Sequence, residues 1–311
     1  FNEAICWWGM ATANDRLGRT QAARDAYRKA LPFFVANKDD RVVGRILLDL
    51  GEDEEALGSL PKAIECYQQA LPLLAATQDE LSRGMALMHL AKAQQKAGDP
   101  AAAIADFKAA TLVWRSAGDN GMEATAYLFL GQTLGGTDDP KGALDAYAEA
   151  LKISGAAGDG VGQLGALVAM IGVYSSESDN PKALELEQKA MEILRPLNVP
   201  AATNKVLNQM GMTYLALKDY AAAEPVMRQA LAVCEKTYGP DHAEMAYSLN
   251  NLATLLEDKG NYTEAKELLE RALAIDTKAL GPDHPSTQAI KKNLDELQQR
   301  SAAATAPKGR N

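Results

Sequence analysis

An alanine, a large residue four positions on and a second alanine three beyond that recur through this chain. The sets are Ala23/Tyr27/Ala30, Ala63/Tyr67/Ala70, Ala103/Phe107/Ala110, Ala143/Tyr147/Ala150, Ala183/Glu187/Ala190, Ala223/Met227/Ala230 and Ala265/Leu269/Ala272. Successive sets start 40 residues apart five times and then 42. A fixed period of this size marks a stack of supersecondary units, each too small to bury a core alone. The 4 + 3 spacing is helical, and small residues at such positions let a second helix approach closely. The large residue between them fills the adjoining gap and reads as core.

Upstream of each set lies a second apolar stripe at helical spacing: Trp7/Met10, Leu47/Leu50, Leu207/Met210 and Leu249/Leu252 are examples. Breakers separate the two stripes, among them "GSLP", "AGDP", "GGTDDP" and "KGNY". Pro61, Pro100, Pro140 and Pro181 fall where a second helix opens, the position that tolerates a missing N–H. Each unit is therefore a helix pair. The expected repeats span residues 4–38, 44–78, 84–118, 124–158, 164–198, 204–238 and 246–280. A further amphipathic helix over 285–300 presents Ala289, Ile290, Leu294 and Leu297 as a terminal seal. Residues 301–311 lack an apolar face and are expected to be disordered.

The chain has only three histidines, and two of them stand in repeated Gly-Pro-Asp-His segments, "YGPDHAEM" and "LGPDHPST". The segments are equivalent loops entering successive helices. Asp241 or His242, and Asp283 or His284, are placed to cap those helices. A metal shared by the two imidazoles would need them far closer than neighbouring helix axes allow.

These features together resemble the tetratricopeptide repeat family, whose unit is a helix–turn–helix with an Ala…Phe/Tyr…Ala second helix. The resemblance covers residues 4–300. Residues 205–297, with "LNNLATLLEDKGNYTEAKELLERALAIDTKALGPDHP", are similar to the 42-residue repeats of kinesin light chains and their bacterial relatives. It implies an all-α, right-handed α-solenoid of about seven repeats with a C-terminal capping helix. The family period is 34, so the extra residues are expected in the second helix and its connection. Repeat five departs from the pattern at Glu187.

The resemblance also implies a function: a scaffold that takes a peptide or helical segment of a partner protein into a groove lined by the first helices. Its groove positions carry over to Ile5 and Trp8; Arg45, Leu48, Asp49 and Glu52; Met85, Met88, His89 and Lys92. They continue as Leu128, Phe129 and Gln132, then Val168 and Ala169. In the last two repeats they are Lys205, Asn208, Gln209 and Met212, then Tyr247, Asn250, Asn251 and Thr254. The early positions offer an apolar floor (Trp8, Met88, Leu128, Phe129); the late ones offer amides to hold ligand backbone. The Lys/Asn/Asn/Lys/Arg set by which chaperone-binding members hold a C-terminal carboxylate is not supplied. An alternative role is the sensing arm of a larger effector such as a protease, kinase or transcription regulator.

The acidic run Glu52–Glu55 lacks the ligand spacing of a calcium loop and reads as a solvated helix end. Asp49, Glu52 and Glu55 share one face there. No phosphate loop, Cys-x-x-Cys or His-Glu-x-x-His spacing occurs, so no enzyme activity, cofactor or metal is expected. The net charge of −9 has no basic block, which argues against nucleic acid or an anionic membrane as partner. No apolar run reaches the ~18 residues of a membrane span. Cys6, Cys66 and Cys234 are odd in number and read as small buried residues, pointing to a reducing, cytoplasmic setting, although a removed leader is compatible with a chain starting at Phe1. The first helix shows Phe1, Ile5 and Trp8 without cover. This end is expected to meet further upstream chain, a partner or a second copy.

Overall fold

The computed structural model describes residues 2–305, and the described residues are helical throughout apart from the turns. The chain divides into two compact units, residues 1–169 and 170–311. The first unit holds α1 (Asn2–Arg16), α2 (Thr20–Ala36), α3 (Asp40–Ala56), α4 (Leu60–Ala76), α5 (Glu80–Lys96), α6 (Pro100–Ala117), α7 (Asn120–Gly135), α8 (Pro140–Ala156) and the first part of α9 (Gly160–Ser176). The second holds the rest of α9, α10 (Asn180–Leu197), α11 (Pro200–Ala216), α12 (Tyr220–Tyr238), α13 (Ala243–Asp258), α14 (Tyr262–Leu280) and α15 (Pro285–Thr305). Within each unit helices pack on their neighbours in sequence, and α3 also meets α5, as α11 meets α13. The fold is an all-α solenoid of helix-pair repeats.

The period has a simple origin. α3 and α4 are each 17 residues long, and so are α5 and α2, with turns of three residues between consecutive helices. In these repeats the extra residues thus lengthen both helices equally, whereas in the last two the second helix is the longer, α12 and α14 having 19 residues against 17 and 16 in α11 and α13. Most turns hold one residue in the left-handed region at the same register. Gly18, Lys38, Gly58, Gln78, Gly98, Gly118, Asp138, Gly158, Ser178, Asn198 and Lys218 succeed one another every 20 residues. An aspartate follows at 39, 79, 99, 119, 139, 159, 179 and 219, and its carboxylate accepts the backbone N–H three residues on. Left-handed residue, then cap, is the repeated instruction that stops one helix and starts the next.

All seven alanine pairs are fully buried, and the residue between each pair is at most 7% exposed. The large residue needs a matching absence on the first helix. A Cβ added to Gly51 would lie 2.3 Å from the Tyr67 ring, one on Gly131 2.5 Å from Tyr147, and one on Gly211 2.5 Å from Met227. The large residue stands 16 positions after the small one, and Ala11, Ala91 and Ala253 keep the same spacing to Tyr27, Phe107 and Leu269. In the fifth repeat the rule inverts: Ile171 occupies the small position and Glu187 the large one.

Several expectations are corrected. Met10 is 50% exposed, so the core of α1 is carried by Ala4 and Ala11 rather than by Trp7 and Met10. Cys6 is exposed and Cys66 half-buried; only Cys234 is buried. At the C-terminus Ile290, Leu294 and Leu297 are buried but Ala289 is exposed, and Thr287 takes a buried place by donating to the Gly281 carbonyl. The helix runs on to Thr305, through residues expected to be disordered; 306–311 lie outside the described residues. The acidic run is not a solvated end: Asp53 and Glu54 are buried, Glu54 against Arg28 at 2.5 Å.

Candidate functional site

In the first unit, the first-helix positions separate into covered and open ones. Leu48 and Met88 are 4% and 3% exposed and belong to the packed interior. The expected apolar floor therefore loses Met88, which belongs to the core cluster of Phe107, Trp114 and Leu130. Trp8 is half-buried, its ring edge-on to Phe34. Met85 and Val168 are exposed, Leu128, Phe129 and Ala169 are half-buried, and Gln132 is exposed.

The polar positions of this face are already engaged with one another. Arg45 Nε donates to Asp79 at 2.6 Å, fixing the start of the next first helix, which Asp79 also caps. Lys92 Nζ stands 4.1 Å from the centre of the Phe129 ring, and Phe129 stacks on Phe107. That cation–π contact keeps a desolvated ammonium over an aromatic face, and burial lowers the Lys92 pKa. His89 lies against the Tyr67 ring with Nε2 3.2 Å from Glu52 Oε1. Burial pushes the imidazole down and the Glu52 carboxyl up to about 7, the latter reinforced by Asp49, Asp15 and Glu55, so both partners are driven towards neutrality.

At the start of this unit, Ile5, Trp8, Gly9, Thr12, Ala13, Arg16 and Leu17 line an open concavity of about 600 Å³ along α1. Ile5 is 42% exposed there. The side of α1 that carries Trp7 is better covered, with Lys29 Nζ 4.0 Å above that ring.

In the second unit the amides divide in the same way. Asn208 and Asn251 are 2% and 4% exposed. Asn208 Nδ2 donates to the Asn204 carbonyl and to Ser248 Oγ, both at 3.0 Å, and Asn251 Nδ2 donates to Asn208 Oδ1. Asn293 Nδ2 donates to Asn250 Oδ1 at 2.8 Å. The amides form a ladder joining α11, α13 and α15, and their first partners are each other. Asn250, Gln209, Met212 and Thr254 remain half-buried; Lys205 and Tyr247 are exposed. These, including the side-chain N–H groups of Asn250, are what a ligand could meet.

His242 and His284 are helix caps. His242 Nδ1 accepts the Glu244 N–H and His284 Nδ1 the Ser286 N–H, each at 3.2 Å, and the His242 ring stacks on Tyr238. Among the described residues no group of three or more His, Cys, Asp or Glu is arranged to hold a metal ion, and no helix is long and apolar enough to cross a membrane.

The model of the tetratricopeptide repeat family matches residues 3–76, 82–155, 202–278 and 244–301. The chain belongs to the tetratricopeptide repeat family. Solved structures of the same fold include a signal transduction ATPase with numerous domains (STAND) protein with a tetratricopeptide repeat sensor, from Pyrococcus horikoshii. It has TM-score 0.70 and 18% identity over 96% of this chain and 44% of that one. This chain thus spans less than half of the STAND protein's length. The apo form of RapI matches with TM-score 0.59 and 13% identity, over 89% of this chain and 98% of that one. A tetratricopeptide repeat protein from Parabacteroides merdae matches with TM-score 0.55 and 12% identity, over 96% and 100% respectively. At such identities the likeness is one of fold. Among curated proteins, none matches the sequence significantly.

Proposed function

We propose that this array is a protein-interaction scaffold whose first-helix face takes a peptide or helical segment of a partner. The observation that carries this reading is in the first unit. Met85 and Val168 project large apolar groups into solvent from first helices, and Trp8, Leu128 and Phe129, also on first helices, are only half-buried. Apolar side chains that cover no core of their own suit anchor pockets for a partner's side chains. Around them Lys92, His89 and Gln132 supply the polar contacts that set register. In the second unit, Tyr247, Asn250, Gln209 and Lys205 give the first helices an aromatic and hydrogen-bonding groups of their own.

Site-specific photocrosslinking tests the reading. A benzophenone side chain at Met85 or Val168 should trap a defined partner in cells. One at Leu112, exposed on a second helix, should not. Equal labelling from all three positions would remove the first-helix face from the interaction.

A second reading, supported by the 44% span of the STAND protein, is that the array is the sensor segment of a larger effector and contacts its own effector domain. The complete reading frame of the gene decides between an array that stands alone and one joined to such a domain.

A further inference from the structure

The first helices of the first unit recur every 40 residues, and α1 departs from the burial pattern of the others. Leu50, Leu90 and Leu130 are 4%, 3% and 4% exposed, whereas Met10, at the same register, is 50% exposed. Ile46, Ala86 and Ala126 are fully buried, yet Cys6 is exposed. Asp53, Ala93 and Thr133 are buried, yet Ala13 is exposed. The packing differs in step. α3, α5 and α7 each lie against the second helix before them as well as the one after, while α1 lies against α2. By helical spacing Cys6, Met10 and Ala13 share one side of α1, turned away from Trp8. In α7 the equivalent Ala126 and Leu130 share a core with Val113 and Trp114 of the preceding α6.

One charge on the same side shows what such a neighbour brings. Glu123, at the start of α7, is buried, and its Oε1 accepts from Arg115 Nε at 2.8 Å. Arg115 stands in the last turn of α6. In the same way Arg28 of α2 reaches Glu54 of α3 at 2.5 Å. Glu3 is the residue of α1 at the register of Glu123. It is exposed, takes a long hydrogen bond of 3.4 Å from Trp7 Nε1, and among the described residues forms no ion pair.

An apolar stripe that starts at an unpaired acid is complementary to an apolar helix that ends on a base. We infer that this side of α1 receives an amphipathic helix of a partner protein, seated as α6 sits on α7. Its apolar residues cover Cys6, Met10 and Ala13, and an arginine in its last turn meets Glu3. Arginine suits the position because its planar fork bonds a carboxylate at two points, whereas lysine offers only a point charge. The docking is separate from the recognition proposed above: it uses the other side of α1 and needs neither Met85 nor Val168.

The chain itself supplies the probe. A fluorescein-labelled synthetic peptide of α6, residues 100–117, carries both the apolar face and Arg115. Its binding to the intact chain, read by fluorescence anisotropy, should be saturable, with Kd on the order of 1–100 µM for a contact of one helix. Citrulline in place of Arg115 should weaken it about tenfold, as expected for a charge-assisted contact. Met10→Glu in the chain should weaken it at least as much with the melting curve unchanged, because half of Met10 is already in water. Glu3→Arg should lose the preference for arginine and bind the Arg115→Glu peptide better. Exchange of the peptide for the chain's own α6 would ignore Met10→Glu, so equal binding by that variant overturns the inference. So does the absence of saturable binding at submillimolar chain. Self-association that Met10→Glu removes, seen by sedimentation, would make the occupant a second copy and exclude the partner. If the complete reading frame adds residues before Phe1 and the longer protein no longer binds the peptide, the occupant is its own upstream helix, and the inference fails.

Discussion

Glu187 is the one member of the repeated large positions that carries a charge, and the structure gives it nothing to share that charge with. It is fully buried; Oε1 accepts from Thr213 Oγ1 at 2.8 Å, and Oε2 has no hydrogen-bond partner. Desolvation, opposed only by the Thr213 hydroxyl, pushes its carboxyl from 4.5 up to about 7. The folded protein therefore keeps the proton to about pH 7, whereas the unfolded chain releases it near 4.5. Stability from this group is complete below about 4.5 and is lost as pH rises through 7. A displacement of this size is worth about 3 kcal/mol over the full range, of which roughly 2 kcal/mol falls between pH 5.5 and 8. Glu187→Met removes the titration and places at 187 the residue found at the equivalent position 227. Thr213 keeps a partner, because its hydroxyl also donates to the Gln209 carbonyl. The advantage of the variant over the natural chain should thus grow by roughly 2 kcal/mol from pH 5.5 to pH 8. Urea unfolding read by circular dichroism measures it. Trp7, Trp8 and Trp114 all lie in the first unit, so tryptophan fluorescence follows that unit as an internal reference and should not change. A variant whose advantage is the same at every pH, or which is less stable throughout, would refute the argument.

Gly51→Ala should destabilise the first unit by about 1–3 kcal/mol, because its methyl group meets the Tyr67 ring 2.3 Å away and the ring is closed in; tryptophan fluorescence in urea checks this. Ala143→Leu, at a position with no exposed surface, should cost a similar 1–3 kcal/mol by the same assay. His242→Ala removes only a cap and should lower stability by roughly 0.5–2 kcal/mol, seen by circular dichroism, with no change in metal content of the purified protein. If the uncovered apolar surface at Ile5 and Trp8 makes copies associate, Ile5→Glu should abolish any concentration dependence of the sedimentation coefficient, leaving the melting curve in place.

The repeat was legible in the sequence because its strongest signals are local. Small, large and small residues at helical spacing state which side of a helix is covered, whatever covers it. A finer signal lies in the aspartates at 39, 79, 99, 119, 139, 159, 179 and 219, each one residue after a left-handed turn residue. Read at 20 residues rather than 40, they show that both turns of a repeat use one device, and that the two helices are equal in length. The pairing of Gly51 with Tyr67, or Gly131 with Tyr147, was likewise available as a constant interval of 16. It needed two positions to be compared across a turn, which a reading of one helix face at a time does not do.

The first-helix face was less legible, for a reason that applies to any stacked array. A position there is open or closed according to the side chains that neighbouring helices place over it. Leu48 and Met88 are buried, whereas Trp8, Leu128 and Val168, at the same register, keep part or most of their surface. Asn208 and Asn251 suggested a grip on ligand backbone, and the structure turns them towards each other instead, because equivalent amides on adjacent helices come within bonding reach. The acidic run of α3 shows the converse. Asp49 and Glu52 were recognisable as one face of a single helix, but Asp15 arrives from the repeat before, and its carboxyl acts on Asp49, Glu52 and Asp53 alike. The first-helix face acquires chemistry between repeats, so its recognition residues must be sought in register-matched pairs on successive first helices rather than along any one of them.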